Sequence, residues 1–246
     1  MPNSFISSHE LLLEDQGRQR VAQQLHAVLV DWYGNTSLKQ LTVLDYGCSS
    51  GIITNFIARY CNVVLGIDVD EIAIKKAEEK HKLKNLSFLL TKNEKLPLKN
   101  NSFDLVICNQ VYSYLDNPKL MMDEIYRVTK VGGVCLFTGD NLLRPIEPLY
   151  NLPLIRLLPK NIAISLLKLL GHKNIYVGEY KTYWGLKKLA CKFTVNDYTI
   201  RILKNPKRFN YLKLEKYSPI LSIIPNFILK FLEPFSPSFV FLLEKK

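Results

Sequence analysis

The segment VLDYGCSSG, residues 43–51, holds residue types and a spacing that could do chemistry. An apolar run leads into Asp45, a glycine-bearing loop follows, and a helical pattern begins at Ile52. Such a turn lets backbone N–H groups and a helix start approach a ligand, because glycine accepts conformations and close contacts that a side chain would block. The spacing narrows the ligand. A dinucleotide fingerprint would put glycines at positions 47, 49 and 52, where this chain has Gly47, Ser49 and Ile52. The glycines present are Gly47 and Gly51, with the small Ser49 between them. A second segment, GIDVD, places Asp68 17 residues after Gly51. A carboxylate at the end of a second strand can accept the hydroxyls of a ribose. Alone, an acid there reads as a helix cap; in order and in phase with the loop, it reads as the other half of one site.

The surrounding elements must position that pair. Ser7 and Glu10 have capping-box spacing, and Val21, Leu25, Val28, Leu29 and Trp32 continue at helical intervals until Gly34. Short apolar runs at 41–44, 63–67, 86–90, 105–108 and 134–138 alternate with helical patterns at 52–60, 71–81 and 118–128. This rhythm predicts an α/β fold, a doubly wound and mostly parallel sheet, whose ligands bind beyond the carboxyl ends of the strands. After Asp140 the rhythm breaks. A helix is expected at 183–192 and strands at 193–199 and 238–243, while 142–180 and 201–237 read as insertions. The expected organisation is a leading helical segment, 1–40, and one domain, 41–246, whose insertions form a substrate lid or membrane-facing segments.

The 246 residues carry a net charge of +11, unevenly spread. Up to Asn141 there are 15 Lys+Arg against 16 Asp+Glu, giving −1; from Leu142 onward there are 18 against 6, giving +12. The basic part is therefore the part expected to meet something anionic. The five cysteines, Cys48, Cys61, Cys108, Cys135 and Cys191, show no C-x-x-C spacing. Free thiols in a reducing cytoplasm, and no metal site, are the expectation. No basic start precedes an apolar run at the N-terminus, and prolines interrupt the uncharged stretch 217–229. Neither a secretory signal nor a membrane span is expected.

The order VLDYGCSSG, GIDVD, LPLKNNSFDLVICNQVYSYLDNP and EIYRVTKVGGVCLFTGD resembles the class I S-adenosylmethionine-dependent methyltransferases, in particular the ubiquinone/menaquinone-pathway group, over residues 41–140. The resemblance implies a seven-stranded Rossmann-like sheet with an antiparallel last strand, and S-adenosylmethionine as cofactor. It implies that Asp45, Gly47 and Gly51, with Cys48 and Ser49, line the methionine end. Asp68 would hold the ribose, Val69 would pack on the adenine, and Asn109 would face the sulfonium. Two positions depart from the family pattern. Lys92 stands where relatives often carry an aspartate for the adenine amine, which leaves Asn93 or a backbone carbonyl as the acceptor. Ser113-Tyr114 stands where many relatives have Glu-His, so a histidine base is absent there.

Methyl transfer from a sulfonium needs mainly a positioned nucleophile, and a base only when the acceptor arrives protonated. Tyr112 and Tyr114 follow the fourth strand, where the acceptor should enter, and read as pocket residues. Asp116 reads with Asn117-Pro118 as a helix start. His9, His26 and His81 read as packing or surface residues; His172, in the first insertion, is the one histidine that could approach the site. No Asn-Pro-Pro-Tyr motif follows Asn109 and no Pro-Cys pair supports cytosine-C5 chemistry. The expected acceptor is a small molecule, a glycan or a lipid-linked compound. An RNA methyltransferase using the basic part and a non-catalytic binding protein on the same fold are the alternatives; a nicotinamide dehydrogenase fits the glycines poorly. In the second insertion Lys204, Lys207, Arg208, Lys213 and Lys216 precede a cluster of Ile, Leu and Phe between 220 and 229. That mixture suits a lid, an anionic membrane surface or, less well, RNA. The localisation it implies is cytoplasmic, either free or peripheral at the inner face of the membrane.

Overall fold

The computed structural model describes residues 15–92, 95–173 and 175–246. Helix α1 (Asp15–Tyr33) precedes β1 (Thr42–Tyr46), α2 (Ile52–Ala58), β2 (Val63–Asp68), α3 (Glu71–Lys80), β3 (Leu86–Leu90), β4 (Phe103–Asn109), α4 (Pro118–Val128) and β5 (Thr129–Asp140). The second part holds α5 (Lys160–Leu169), α6 (Tyr183–Leu189), β6 (Thr194–Asp197), α7 (Thr199–Lys204), α8 (Ser218–Ile223), α9 (Asn226–Leu232) and β7 (Ser238–Glu244). The strands form one seven-stranded sheet in the order β3-β2-β1-β4-β5-β7-β6. Strands β1 to β5 pair in parallel. Strand β7 runs antiparallel to β5, with Phe137 opposite Phe241 and Asp140 opposite Ser238. This is the mostly parallel α/β sheet that the strand–helix rhythm predicts, and the expected strands at 193–199 and 238–243 are β6 and β7. The capping box at Ser7 and the candidate Asn93 lie outside the described residues.

The central strands are covered on both faces, so they read as continuous apolar runs. Successive residues then feed opposite cores. Val43, Leu105, Ile107 and Leu136 join Leu25, Val28 and Leu29 of α1 and Ile57 of α2 on one side. Leu44, Val106, Cys108 and Phe137 join Met121 and Ile125 of α4 and Leu186 of α6 on the other. Helix α1 thus shares its buried face with the sheet. Residues after α7 close the first core through the fully buried Phe209.

Caps set where the helices begin. The Asp70 carboxylate accepts from the amides of Ile72 and Ala73 at the start of α3. Asn117 accepts from Leu120 N–H, with Pro118 in the first turn of α4, and Thr182 accepts from Gly185 N–H ahead of α6. Strand β5 begins five residues earlier than its apolar pattern, at Thr129 rather than 134. The reason is the end of the chain: Lys245 C=O accepts from Gly132 N–H at 2.7 Å and Lys245 N–H donates to Gly133 C=O at 3.0 Å. The glycine pair read as a turn is thereby drawn onto the sheet.

Both insertions attach at the same end of the sheet. The first leaves from Asp140 at the carboxyl end of β5, and the second re-enters at Ser238, the residue paired with Asp140. The Asn141 amide ties them together, donating to the carbonyls of Pro234 and Ser236 at 2.8 Å. That end is also where β1, β2 and β4 deliver Asp45, Asp68 and Asn109.

Candidate functional site

Three residues of the loop after β1 have left-handed backbones: Gly47 at φ 79°, Ser49 at φ 49° and Gly51 at φ 73°. Two of these positions admit no side chain. A Cβ on Gly47 would lie 2.5 Å from the Val111 side chain, and one on Gly51 would lie 2.6 Å from the Phe88 ring. Ser49 adopts the conformation that a glycine there would take freely, at a steric cost. The loop is pinned to β2: the Gly47 and Cys48 amides donate to Ile67 C=O at 2.8 and 3.0 Å.

Two buried carboxylates flank this loop. Asp45, 3 % exposed, accepts from the Thr54 hydroxyl of α2 at 2.6 Å. Burial pushes its pKa up to about 6; the Thr54 hydrogen bond opposes the rise, Asp68 adds to it, and Arg18 opposes it. Asp68 accepts from the amides of Ser49 at 2.7 Å, Val69 at 2.7 Å and Asp70 at 3.0 Å. Burial holds Asp68 above the usual carboxylate range despite these bonds. A carboxylate offers about four acceptor positions, so roughly one remains for a ligand hydroxyl, fewer than the sequence reading gave it. Val69 beside it leaves an exposed apolar side chain at the tip of β2.

Arg18 of α1 is the residue the sequence reading missed. Its guanidinium is half-buried, and burial lowers its pKa against the opposing charges of Asp45 and Asp68. It therefore brings a cation to the two acids and to Tyr114. The sequence carries little trace of this, since α1 lies outside the motif-bearing stretch and one arginine on an amphipathic helix reads as solvated.

Cys48 is buried in the loop, and burial first, then Asp45 and Asp68, raises its thiol well above the ordinary range. It packs as a neutral group. Asn109, half-buried at the end of β4, accepts from the Thr138 hydroxyl at 2.7 Å. The hydroxyls of Ser49 and Ser50 are buried with no protein partner among the described residues. Buried polar groups ordinarily have one. The cradle, two buried acids, a nearby guanidinium and two orphaned hydroxyls fit a ligand with an ammonium, a carboxylate and a ribose.

The two tyrosines separate. Tyr112 is fully buried; its hydroxyl donates to Asp140 C=O and accepts from Lys181 N–H at 3.1 Å. Both bonds stay within the protein, so Tyr112 is a core residue that fixes the first insertion and presents no surface to an acceptor. Tyr114 stays at the site. Its ring stacks on Tyr176, centroids 5.1 Å apart. Burial first, then Glu147 and Asp140, pushes its hydroxyl up to about 12, with Arg156 and Arg18 opposing. It stands between the cofactor-side cation and the ion cluster of the insertion.

That cluster was not legible in the sequence. Arg156 donates to Asp140 at 2.7 Å, to Glu147, and to Asn141 C=O at 3.1 Å. Its guanidinium lies 3.7 Å from the Tyr180 ring centroid. Arg144 adds a second cation on Asp140 at 2.7 Å. The carbonyl of Ser113, at the expected Glu-His position, accepts from the Tyr176 hydroxyl at 2.6 Å and from Glu179 N–H at 3.2 Å. The insertion is thus fastened onto the loop after β4. His172 joins none of these groups: its ring packs edge-on against Tyr150, centroids 5.0 Å apart. Lys92 is exposed beside Glu71.

Comparison with known proteins agrees with this geometry. Residues 44–137 match the family model described as a methyltransferase domain. Over that stretch the chain is similar to the methyltransferase domain family. The chain is 36 % identical over 118 residues to an uncharacterised methyltransferase of Schizosaccharomyces pombe, covering 43 % of this chain and 42 % of that protein. It is 35 % identical over 101 residues to a malonyl-[acyl-carrier protein] O-methyltransferase of Hamiltonella defensa, covering 41 % and 38 %. A ubiquinone biosynthesis O-methyltransferase of Coxiella burnetii is 26 % identical over 107 residues, covering 43 % and 46 %. The match spans less than half the length of these curated relatives. In fold, the chain is similar to S-adenosylmethionine-dependent methyltransferases from Mesorhizobium loti (TM-score 0.56, 16 % identity, 84 % of this chain and 92 % of that one) and Aquifex aeolicus (0.51, 23 %, 70 % and 89 %). The insertions lie outside the family match.

Proposed function

We propose that this chain transfers a methyl group from S-adenosylmethionine to a small-molecule, glycan or lipid-linked acceptor. The observation that carries the reading is the pair of buried acids, Asp45 and Asp68, held on either side of a left-handed glycine loop within a methyltransferase domain. When bound, the cofactor supplies an electrophilic methyl group on a sulfonium. The residues that would hold it divide by charge. Asp45 suits the methionine ammonium and Arg18 its carboxylate. Asp68 suits a ribose hydroxyl, and the exposed Val69 side chain suits the adenine face. Cys48 and Ser49 belong to the same cradle, with Asn109 on the β4 side.

Tyr114 suits the acceptor. With its hydroxyl pushed up to about 12 it stays protonated at neutral pH and donates a hydrogen bond rather than removing a proton. The chemistry this supports is positioning of a nucleophile that arrives ready to react, or whose proton leaves to solvent. The Arg156 cluster and the Tyr112 hydroxyl fasten the insertion to the carboxyl end of the sheet.

The test is transfer of labelled methyl from S-adenosylmethionine into small-molecule, sugar and lipid fractions of the source cells. Label should enter one of the three, and Asp68→Ala should lower its incorporation about tenfold or more at limiting S-adenosylmethionine. Tight binding of S-adenosylhomocysteine with no transfer to any fraction would instead favour a binding protein on this fold.

A further inference from the structure

The two insertions carry apolar surface that the protein does not cover. Helix α5 buries only Ala163 and Leu167, one turn apart, against Ile155. Ile162, Leu166 and Leu169 repeat at helical spacing along the flank of that buried line, with Leu170 just beyond the helix, and all four are exposed. The apolar stripe of a helix ordinarily faces the core; here its flank is left in solvent. Helix α9 repeats the pattern: Leu229 is buried, whereas Phe227 and Phe231, four residues apart, stand in solvent. The exposures are large: 84 % at Leu169, 82 % at Ile223 at the end of α8, 73 % at Phe227 and 76 % at Phe231. Scattered exposed leucines are ordinary, but this many bulky residues within two insertions mark a contact surface.

Charge identifies the occupant. Residues 160–173 contain Lys160, Lys168 and Lys173 and no acid, and all three lysines are exposed. Around α8 and α9, Lys213, Lys216 and Lys230 are exposed. The two acids there have other partners: Glu233 accepts from the Tyr183 hydroxyl and Glu215 lies 4.0 Å from Lys207. Not all of the basic excess takes part. Arg201 and Arg208 are paired with the buried Asp31 of α1 and help hold the second insertion to the fold. What remains is a set of lysines beside bulky aliphatic and phenyl side chains. Lysine heads at phosphates with phenyl and aliphatic groups in the acyl boundary is the chemistry of an interfacial helix. Among the described residues no helix is long and apolar enough to cross a membrane.

We propose that the outer faces of α5, α8 and α9 seat this protein on an anionic phospholipid surface. Both insertions spring from the carboxyl end of the sheet and are joined there through Asn141, the end that carries the cofactor residues. Resting on the methyltransferase reading, the surface therefore selects an acceptor borne by the membrane.

Sedimentation with vesicles tests it. The full chain should pellet with vesicles of phosphatidylcholine mixed with phosphatidylglycerol, stay in solution with phosphatidylcholine alone, and be released by salt. The double variant Phe227→Ser/Phe231→Ser and the charge reversal Lys160→Glu/Lys168→Glu should each weaken partitioning by about tenfold or more. Every substituted side chain is exposed, and unchanged melting and S-adenosylhomocysteine affinity would certify the fold. Wild-type protein left in the supernatant with the anionic vesicles at low salt overturns the proposal. So do variants that pellet as wild type does. If the phenylalanine variant instead converts a dimer to a monomer while wild type ignores lipid, the faces are a self-association surface and the proposal fails. Cofactor affinity is read separately, so failure here leaves the methyltransferase reading standing.

Discussion

Asp45→Asn should make the protein more stable at alkaline pH while weakening its hold on the cofactor. Asp45 is buried, and its pKa rises from 3.8 to about 6, first through desolvation. The folded state thus keeps a proton that the unfolded chain has lost between about pH 4 and 6. Stability falls as pH rises through that window, and the full cost is present above it. A shift of about two units corresponds to about 3 kcal/mol, of which roughly half develops between pH 5 and 8. Asparagine keeps an oxygen for the Thr54 hydroxyl but brings an amide that needs partners, which costs about 1–3 kcal/mol. The net change at pH 8 therefore lies between about zero and +2 kcal/mol. The pH-dependent part is cleaner. The melting temperature of Asp45→Asn relative to wild type should rise by about 3–6 °C between pH 5 and pH 8, at about 2–4 °C per kcal/mol for a chain of this size. Thermal melts at the two pH values measure it. Titration with S-adenosylhomocysteine should show affinity weakened by about 1.5–3 kcal/mol, the value of a hydrogen bond to a charged group. A difference in melting temperature that does not change with pH would refute the burial argument; unchanged affinity would refute the placing of the ammonium.

Gly51→Ala should destabilise by about 1–3 kcal/mol, since the new methyl meets the Phe88 ring at a left-handed backbone position; chemical denaturation checks it. Tyr112→Phe should cost about 1–2 kcal/mol by releasing Asp140 C=O and Lys181 N–H while leaving S-adenosylhomocysteine affinity unchanged. A large loss of cofactor affinity would show that Tyr112 belongs to the site after all. His172→Ala should keep most of its turnover once an acceptor is known, because its ring packs on Tyr150. A loss of a thousandfold or more would identify it as the base.

The sheet was legible because its central strands are buried on both faces and several of its helices carry caps, so local pattern and tertiary demand coincide. Asp45, Gly47, Gly51 and Asp68 were legible for a related reason: a tight loop against two strands permits few residue types. Tyr112 and Tyr114 illustrate the limit. They are two residues apart after the same strand and chemically identical, yet Tyr112 is sealed in the core and Tyr114 remains at the site. Only the path of the first insertion decides which, and proline-punctuated chain carries no periodicity from which to read that path. The Arg156–Asp140–Glu147 cluster escaped for the same reason, and Arg18 escaped because the groups it faces, Asp45, Asp68 and Tyr114, all lie on elements distant in sequence. The charge split at Asn141 was visible, but its distribution was not. Arg201 and Arg208 turn toward Asp31, and the lysines of α5 and α9 are the ones beside exposed apolar faces.

The most direct measurement is a calorimetric titration of the purified protein with S-adenosylhomocysteine and, separately, with NAD. Saturable one-to-one binding of S-adenosylhomocysteine, no heat with NAD, and a loss of about 1–3 kcal/mol in a folded Asp68→Ala variant is the predicted result. Absence of S-adenosylhomocysteine binding, or full affinity in the folded Asp68→Ala variant, would contradict the account of this loop as a cofactor site built around its second acid.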